Sequence, residues 1–115
     1  MNRPAPITVV ELRTFDTAAR RLWGEEERQA FVDFVAHHPS AGDVIPGTGG
    51  LRKVRWSVPG RGKRGGARVI YLYHDLGMPV FLLTVYAKSD RSDLTPDERR
   101  RFAEVVGRIK EAYGR

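Results

Sequence analysis

Positively charged side chains cluster in residues 51–89 of this sequence, a stretch whose residue types alternate as they do in β-strands. The protein has 115 residues and a formal net charge of +6. No carboxylate lies between Asp43 and Asp75, whereas seven lysines and arginines do. Because the charges outside this segment nearly cancel, the surplus is local, and a local cationic surface is typical of proteins that bind polyanions. The seven cations are Arg52, Lys53, Arg55, Arg61, Lys63, Arg64 and Arg68.

Spacing along the strand-like runs predicts which side chains share a surface. Lys53 and Arg55 are two residues apart in the first run, so both project from one face of a strand. Arg68 opens the second run and falls near the outer end of the first if the two pair. In the third run Tyr86 and Lys88 share a face. Together these five residues predict a phosphate-binding surface with one aromatic ring for base stacking. The alternative interpretation is that charged edge strands keep the sheet soluble and oppose aggregation.

The segment between the first two runs, residues 59–66, reads PGRGKRGG and carries Arg61, Lys63 and Arg64. Its backbone amides and its cations could approach phosphates. The segment does not match a Walker motif, because no serine or threonine follows the lysine in the required pattern. We therefore interpret it as the tip of a hairpin whose contact with RNA is electrostatic.

The remaining titratable residues predict no second reactive centre. His37 and His38 stand at a predicted helix end, where a polar or cationic group is favourable. His74 is the one histidine placed to act as an acid or base, but the neighbouring Asp75 favours a turn-forming pair. Without cysteine the chain can form no disulfide, thiolate zinc site or cysteine nucleophile. We therefore expect neither a metal nor a cofactor.

Length and composition indicate one folded domain over residues 1–115, since 41% of the residues are hydrophobic and 30% are charged. The absence of cysteine fits a reducing compartment. The N-terminal sequence lacks the apolar run of a signal peptide, and no stretch approaches the ~20 apolar residues of a membrane helix. We expect a cytoplasmic protein without membrane contact.

Hydrophobic periodicity predicts the order strand, helix, helix, strand, strand, strand, helix. The last helix has the clearest start, because Thr95, Pro96 and Glu98 supply a cap, a first-turn proline and the carboxylate of a capping box. Apolar residues on both faces make the second and third of the consecutive strands central, and a short link joins them as an antiparallel hairpin. The fold class is therefore α+β, with helices packed on an antiparallel sheet. The predicted bounds are 7–12, 15–23, 25–37, 51–58, 69–73, 80–87 and 95–113.

Three segments, GLRKVRW, GGARVIYLY and VYAKSDRSDLTPDERRRF, resemble the RelE superfamily of bacterial toxins from type II toxin–antitoxin modules, especially its HigB-like branch. The resemblance covers residues 7–113 in element order and is most specific over residues 50–102. It implies a single RelE/ParE-like domain with a small antiparallel sheet of about four strands, two N-terminal helices and a C-terminal helix.

The resemblance also implies an activity. Such toxins inhibit translation as mRNA interferases, which are metal-independent, ribosome-dependent endoribonucleases that cut messenger RNA in the ribosomal A site. A cognate antitoxin neutralises them, so the expected partners are messenger RNA, the ribosome and an antitoxin protein. The alternative is a non-enzymatic protein of the same fold, either a ParE-like gyrase poison or an RNA-binding module.

Catalytic roles follow from the resemblance, residue by residue. Arg68 and Arg55 would hold the phosphate and stabilise the charge of the transition state, and Lys53 or Lys88 would transfer the proton. Tyr86 would stack on a base. The residues expected to contact RNA are Arg52, Arg61, Lys63, Arg64 and Tyr86.

Overall fold

The computed structural model describes residues 5–57 and 66–115, which form one mixed β-sheet with helices on both faces. The predicted α+β class and the three predicted helices are confirmed. The elements are β1 (Val9–Glu11), α1 (Arg13–Leu22), α2 (Glu25–His37), β2 (Asp43–Val44), β3 (Leu51–Trp56), β4 (Ala67–Leu72), β5 (Val80–Ala87) and α3 (Pro96–Ala112).

The strands of the described residues lie in the order β1-β5-β4-β3-β2. Neighbours from β5 to β2 pair antiparallel, and β4 and β5 lie inside the sheet, as predicted. Two features differ from the expected four antiparallel strands. β1 pairs parallel with β5, because the chain crosses back through α1 and α2 before it re-enters the sheet. β2 has only two residues, in a segment predicted as a loop, and pairs with Arg52 and Lys53.

Helices α1 and α2 cover one face of the sheet through the apolar stripes predicted from the sequence. Phe15 and Ala19 on α1 and Phe31 on α2 have no exposed surface. The ring of Phe31 lies 5.7 Å from that of Trp23 and 5.5 Å from that of Trp56 on β3. These aromatic contacts fix both helices against the sheet, since large rings bury much apolar area and prefer such tilted and edge geometries.

Ion pairs connect helices α1 and α2 to strand β1. Arg28 on α2 donates from Nε to Glu11 and from Nη2 to Asp16, each at 2.7 Å. Its guanidinium carbon also lies 5.6 Å from the ring centroid of Phe15. The hydrogen bond from Arg28 is the main cause that lowers the pKa of Asp16. Arg28 therefore joins β1, α1 and α2 through opposite charges.

Helix α3 packs on the opposite face of the sheet. Its predicted capping box is present, because Thr95 Oγ1 accepts from the Glu98 N–H at 3.1 Å and Glu98 Oε1 accepts from the Thr95 N–H at 2.9 Å. Phe102 and Val106 are buried in one apolar cluster with Leu72 of β4. The helix therefore has both a defined start and a buried side.

Polar contacts add to this packing. Arg99 Nη1 donates to the Pro46 carbonyl at 3.3 Å, and Lys110 Nζ donates to the Gly49 carbonyl. Both carbonyls belong to the connection between β2 and β3, so α3 is held at the edge of the sheet as well as above it. None of the described helices is long and apolar enough to cross a membrane.

Candidate functional site

The face that α3 partly covers also carries cations predicted from the sequence. In the register of β3, β4 and β5, Arg55 is paired with Arg68, and Arg68 with Tyr86. Residues paired directly across neighbouring strands project to the same side, with Cβ atoms about 4.5–5.5 Å apart. The three side chains therefore form one line across the sheet, which we call the cationic row.

Lys53 stands beside the cationic row. It is two residues from Arg55 on β3, which places both on the same side of the sheet, and its register partner on β4 is Ile70. Lys53 and the cationic row together form what we call the cationic face. Farther along the strands, this side of the sheet becomes apolar and is buried in the α3 cluster, with Leu51, Leu72 and Phe81.

The position of Arg68 is not explained by protection of a sheet edge. Its strand, β4, lies between β3 and β5, so both edges of β4 are paired. Arg55 lies directly opposite, and like charges across a strand pair repel each other. Arg68 is half-buried, with Nη1 3.4 Å from the Ala67 carbonyl, whereas Arg55 is exposed. An anion bound between the two guanidinium groups would offset their repulsion.

Tyr86 is covered by the segment that follows β5. Its side chain is 5% exposed, and the guanidinium carbon of Arg91 lies 4.6 Å from the centroid of its ring. Its hydroxyl donates to the Ser92 carbonyl at 3.4 Å. Burial is the main cause that raises the pKa of the Tyr86 phenol, so the group stays protonated near neutral pH. Base stacking on Tyr86 stays a prediction, because Arg91 covers the ring in this structure.

Glu98 holds Arg91 in place above the ring. Its two carboxylate oxygens accept from the two terminal nitrogens of the guanidinium, Oε1 from Nη1 and Oε2 from Nη2 at 3.1 Å. This hydrogen bonding is the main cause that lowers the pKa of Glu98 and raises the pKa of Arg91. Sequence reasoning missed the pair, because a glutamate at this position is already explained by the helix cap.

Asp93 brings a carboxylate to the cationic face. Its Oδ1 lies 3.6 Å from Lys53 Nζ, and its Oδ2 lies 4.0 Å from Arg99 Nη2. The Asp93 side chain is 47% exposed, so solvent screens both pairs and each contributes little stability. A phosphate could therefore replace Asp93 beside Lys53 at small cost.

Several predicted residues are not joined to the cationic row. Lys88 is exposed and follows the last residue of β5, where its backbone N–H donates to the Gly66 carbonyl at 3.1 Å. The prediction that its side chain transfers a proton is not tested by this placement. Residues of the glycine-rich loop lie outside the described ranges, and their RNA contacts stay predictions. They are Arg61, Lys63 and Arg64.

Arg52 was predicted to contact RNA, and this contact stays a prediction, but Arg52 does not lie on the cationic face. Strand alternation places Arg52 on the opposite side of the sheet from Lys53. Its Nη1 donates to the Gly42 carbonyl at 2.8 Å, and its guanidinium carbon lies 5.9 Å from the ring centroid of Tyr73. Arg52 therefore holds the segment before β2 instead of extending the cationic face.

The cluster around His74 is structural. His74 Nε2 lies 3.6 Å from Asp75, and Asp75 also accepts two hydrogen bonds from Arg115 at 2.9 and 3.0 Å. Bonding to Arg115 is the main cause that lowers the pKa of Asp75 to about 2. The cluster lies in the turn between β4 and β5, at the other end of β4 from Arg68, so it is separate from the cationic face.

Fold and site together define a small α+β protein with a cationic sheet face suited to an anionic ligand. Residues 43–114 match the family model described as the RelE toxin of the RelE / RelB toxin–antitoxin system. The match spans more than half of the chain and includes the whole cationic face, and the chain belongs to the RelE toxin family.

A solved structure of E. coli toxin RelE, a double arginine-to-alanine mutant in the free state, is similar to this chain. The two superpose with a TM-score of 0.55 at 17% sequence identity, over 87% of this chain and 96% of that chain. At this identity the likeness concerns the fold, and it confirms the RelE-like arrangement of sheet and helices.

Proposed function

We propose that this protein is the toxin of a type II toxin–antitoxin module and cleaves messenger RNA in the ribosomal A site. The observation that carries the proposal is the cationic row, in which Arg68 occupies the central strand between Arg55 and Tyr86. Membership of the RelE toxin family supports the toxin class. The proposed activity is that of a metal-independent endoribonuclease.

In this cleavage the ribose 2′-hydroxyl attacks the adjacent phosphate. The reaction requires stabilisation of the negative charge on that phosphate and two proton transfers. The 2′-oxygen forms a bond to phosphorus as its proton leaves, and the bond from phosphorus to the 5′-oxygen breaks as that oxygen gains a proton. The products are a 2′,3′-cyclic phosphate and a 5′-hydroxyl. Arg55 and Arg68 can flank the phosphate, because guanidinium groups form paired, charge-assisted hydrogen bonds to phosphate oxygens. They would stabilise the additional negative charge of the transition state.

Proton transfer is assigned to Lys53 or Lys88. Lys53 lies beside the cationic row with Asp93 at 3.6 Å, and Lys88 is exposed at the end of β5. Tyr86 is a poor candidate for the base, because burial raises the pKa of its phenol and keeps the proton on the oxygen. Comparison of Lys53→Ala with Lys88→Ala would identify the lysine on which the cleavage rate depends.

The proposal also specifies the branch of the family, the partners and the cellular compartment. The likeness of residues 50–102 to the HigB-like branch supports the proposal that the protein belongs to that branch. Its partners are then the ribosome with its bound message and a cognate antitoxin, and it acts in the cytoplasm. An antitoxin that presents carboxylates would suit the cationic face, since Asp93 already pairs there with Lys53.

Induction of the protein in bacteria, followed by mapping of transcript ends, tests the proposal. We expect in-frame cuts within translated messages, and loss of these cuts with Arg68→Ala. Arg108→Ala is the matched control, because it removes the same charge from a side chain of α3 that is 80% exposed. We expect this control to cut as the wild-type protein does.

Other outcomes would contradict the proposal in distinct ways. Growth arrest with intact messages and induced DNA damage would indicate a gyrase poison. RNA that the purified protein binds but leaves intact on the ribosome would indicate a binding module. Normal growth on induction would reject the toxin assignment altogether.

A further inference from the structure

We infer that Glu98 is a positioning residue for the cationic face. The carboxylate that caps α3 also fixes Arg91 above Tyr86, and it thereby adds a third guanidinium to the cationic row. The inference rests on the proposed function, because it concerns the same site. It gives Glu98 a role that the capping motif does not require.

Glu98 has partners in two different segments. Its Oε1 accepts from the backbone N–H of Thr95 at 2.9 Å, which closes the cap of α3. Both of its carboxylate oxygens accept from Arg91, which lies in the segment after β5. Glutamine serves a capping box as well as glutamate does. A paired contact between two oxygens and two guanidinium nitrogens, however, requires a carboxylate. The charge of Glu98 is therefore explained by Arg91 and not by the cap.

Arg91 needs such a partner to stay where it is. Its guanidinium lies above Tyr86, and Tyr86 is paired in register with the positively charged Arg68. The attraction between a guanidinium and a ring face is modest and does not by itself fix the orientation of the guanidinium. The Glu98 side chain is 19% exposed and sits on the first turn of α3, so its carboxylate holds the Arg91 guanidinium from a fixed position.

This arrangement couples the start of α3 to the site. Glu98 sits on the first turn of the helix and fixes Arg91, and Arg91 covers the ring of Tyr86 at the end of the cationic row. Without the Glu98 charge, the helix can keep its cap while Arg91 loses its orientation. The two functions of Glu98 can therefore be separated by mutation.

Cleavage of ribosome-bound messages by purified variants tests this separation. Glu98→Gln should keep the cap and a near wild-type thermal midpoint, while the cleavage rate at saturating message falls about tenfold, because one charged hydrogen-bonded pair is lost. Thr95→Ala is the matched control. It weakens the cap and lowers the thermal midpoint, with no change in the rate per folded molecule. A Glu98→Gln variant that cleaves at the wild-type rate would overturn the inference.

A double variant checks that Glu98 acts through Arg91. If it does, Glu98→Gln combined with Arg91→Gln should be no slower than Arg91→Gln alone, since the contact is already lost in the single variant. Fully additive losses would show that Glu98 acts by another route and would overturn the inference.

NMR gives a readout that does not depend on cleavage. The ring of Tyr86 should shift the Arg91 Nε–H signal away from its free-arginine position, and this shift should disappear in Glu98→Gln and persist in Thr95→Ala. An unchanged Arg91 signal in Glu98→Gln would overturn the inference, whether or not the protein cleaves RNA. If the signal responds as expected but the wild-type protein leaves every message intact, the Glu98 contact is supported and the proposed function fails.

Discussion

Arginine side chains have neighbours of opposite charge on one face of the sheet and of like charge on the other. On the face covered by α1 and α2, which we call the helical face, Arg28 is 16% exposed and pairs with the carboxylates of Glu11 and Asp16. On the cationic face, Arg55 stands directly opposite a second arginine, Arg68. The first arrangement pairs opposite charges, whereas the second places two like charges on neighbouring strands, where both could donate to an anion. This difference supports our proposal that the cationic face is the part of the molecule that binds the ligand.

Side-chain packing is also more complete on the helical face than on the cationic face. The helical face is covered by an aromatic cluster in which Phe31 contacts Trp23, Phe34 and Trp56. Among the described residues, α3 and the segment after β5 pack on the cationic face, and its outer end carries the exposed Arg55. Natural proteins give up local stability mainly at functional sites, so an end that is both charged and less covered is where a ligand is expected.

The largest expected effect on stability lies in the helical face. Phe31→Ala should lower the free energy of unfolding by about 3–5 kcal/mol, because it removes a ring with no exposed surface and leaves a cavity. Chemical denaturation measures the loss, and Phe31→Leu should lose less. An equal loss for Arg68→Ala would break the contrast between the two faces.

An intermediate effect is expected from the ion pairs of the helical face. Arg28→Ala should lower the thermal midpoint by less than Phe31→Ala, with no change in cleavage per folded molecule. The pKa of Asp16 is lowered in the folded state. The ion pair between Asp16 and Arg28 therefore stabilises the fold above the ordinary pKa of 3.8, and this contribution is lost as the pH falls through the lowered pKa. In thermal scans from pH 7 to pH 3, the difference in thermal midpoint between Arg28→Ala and the wild-type protein should therefore become smaller at the acid end. A constant difference at all pH values would contradict this account.

The smallest expected effect has the opposite sign. Arg55→Gln should raise the free energy of unfolding by about 0.2–1 kcal/mol, because it removes one of two like charges and keeps most of the side-chain stem. The gain should shrink as NaCl screens the repulsion. Arg108→Gln, whose arginine pairs with Glu104 on α3, should show no such gain. Destabilisation by Arg55→Gln at low salt would show that the arginine pair is not under repulsion.

Local patterns were sufficient to predict the framework of the site. A nearly continuous apolar run with strong β-propensity predicts β5 over Val80–Ala87, and the Thr95 capping box predicts the start of α3. Pairing of β3 with β4 across the glycine-rich segment follows from their order, and it brings Arg55 and Arg68 together. These features depend on neighbours in sequence or on a hairpin, which is why the sequence alone predicts them.

Other features depend on contacts that no local pattern encodes. β2 has two exposed residues, Asp43 and Val44, and too little alternation to stand out from a loop. The same alternation that places Lys53 on the cationic face turns Arg52 to the other side, which the cluster of positive charge in the sequence conceals.

The contact of Arg91 with the ring of Tyr86 could not be predicted from the sequence either. It forms because residues after β5 fold back, so that Arg91 meets the ring and Glu98 meets Arg91. The spacing of five and seven residues between these partners corresponds to no regular strand or helix contact. Only the three-dimensional arrangement shows that the capping glutamate also binds Arg91.

The most direct test of the central claim is cleavage of a defined message on purified ribosomes by the wild-type protein, Arg68→Ala and Arg108→Ala. The account predicts cuts in the A-site codon by the wild-type protein and by Arg108→Ala at equal rates. Arg68→Ala should be slower by about 10²–10³-fold, the usual cost of removing one transition-state donor, with an unchanged thermal midpoint. Cleavage by Arg68→Ala at the wild-type rate would contradict the assignment of the cationic row as the catalytic site.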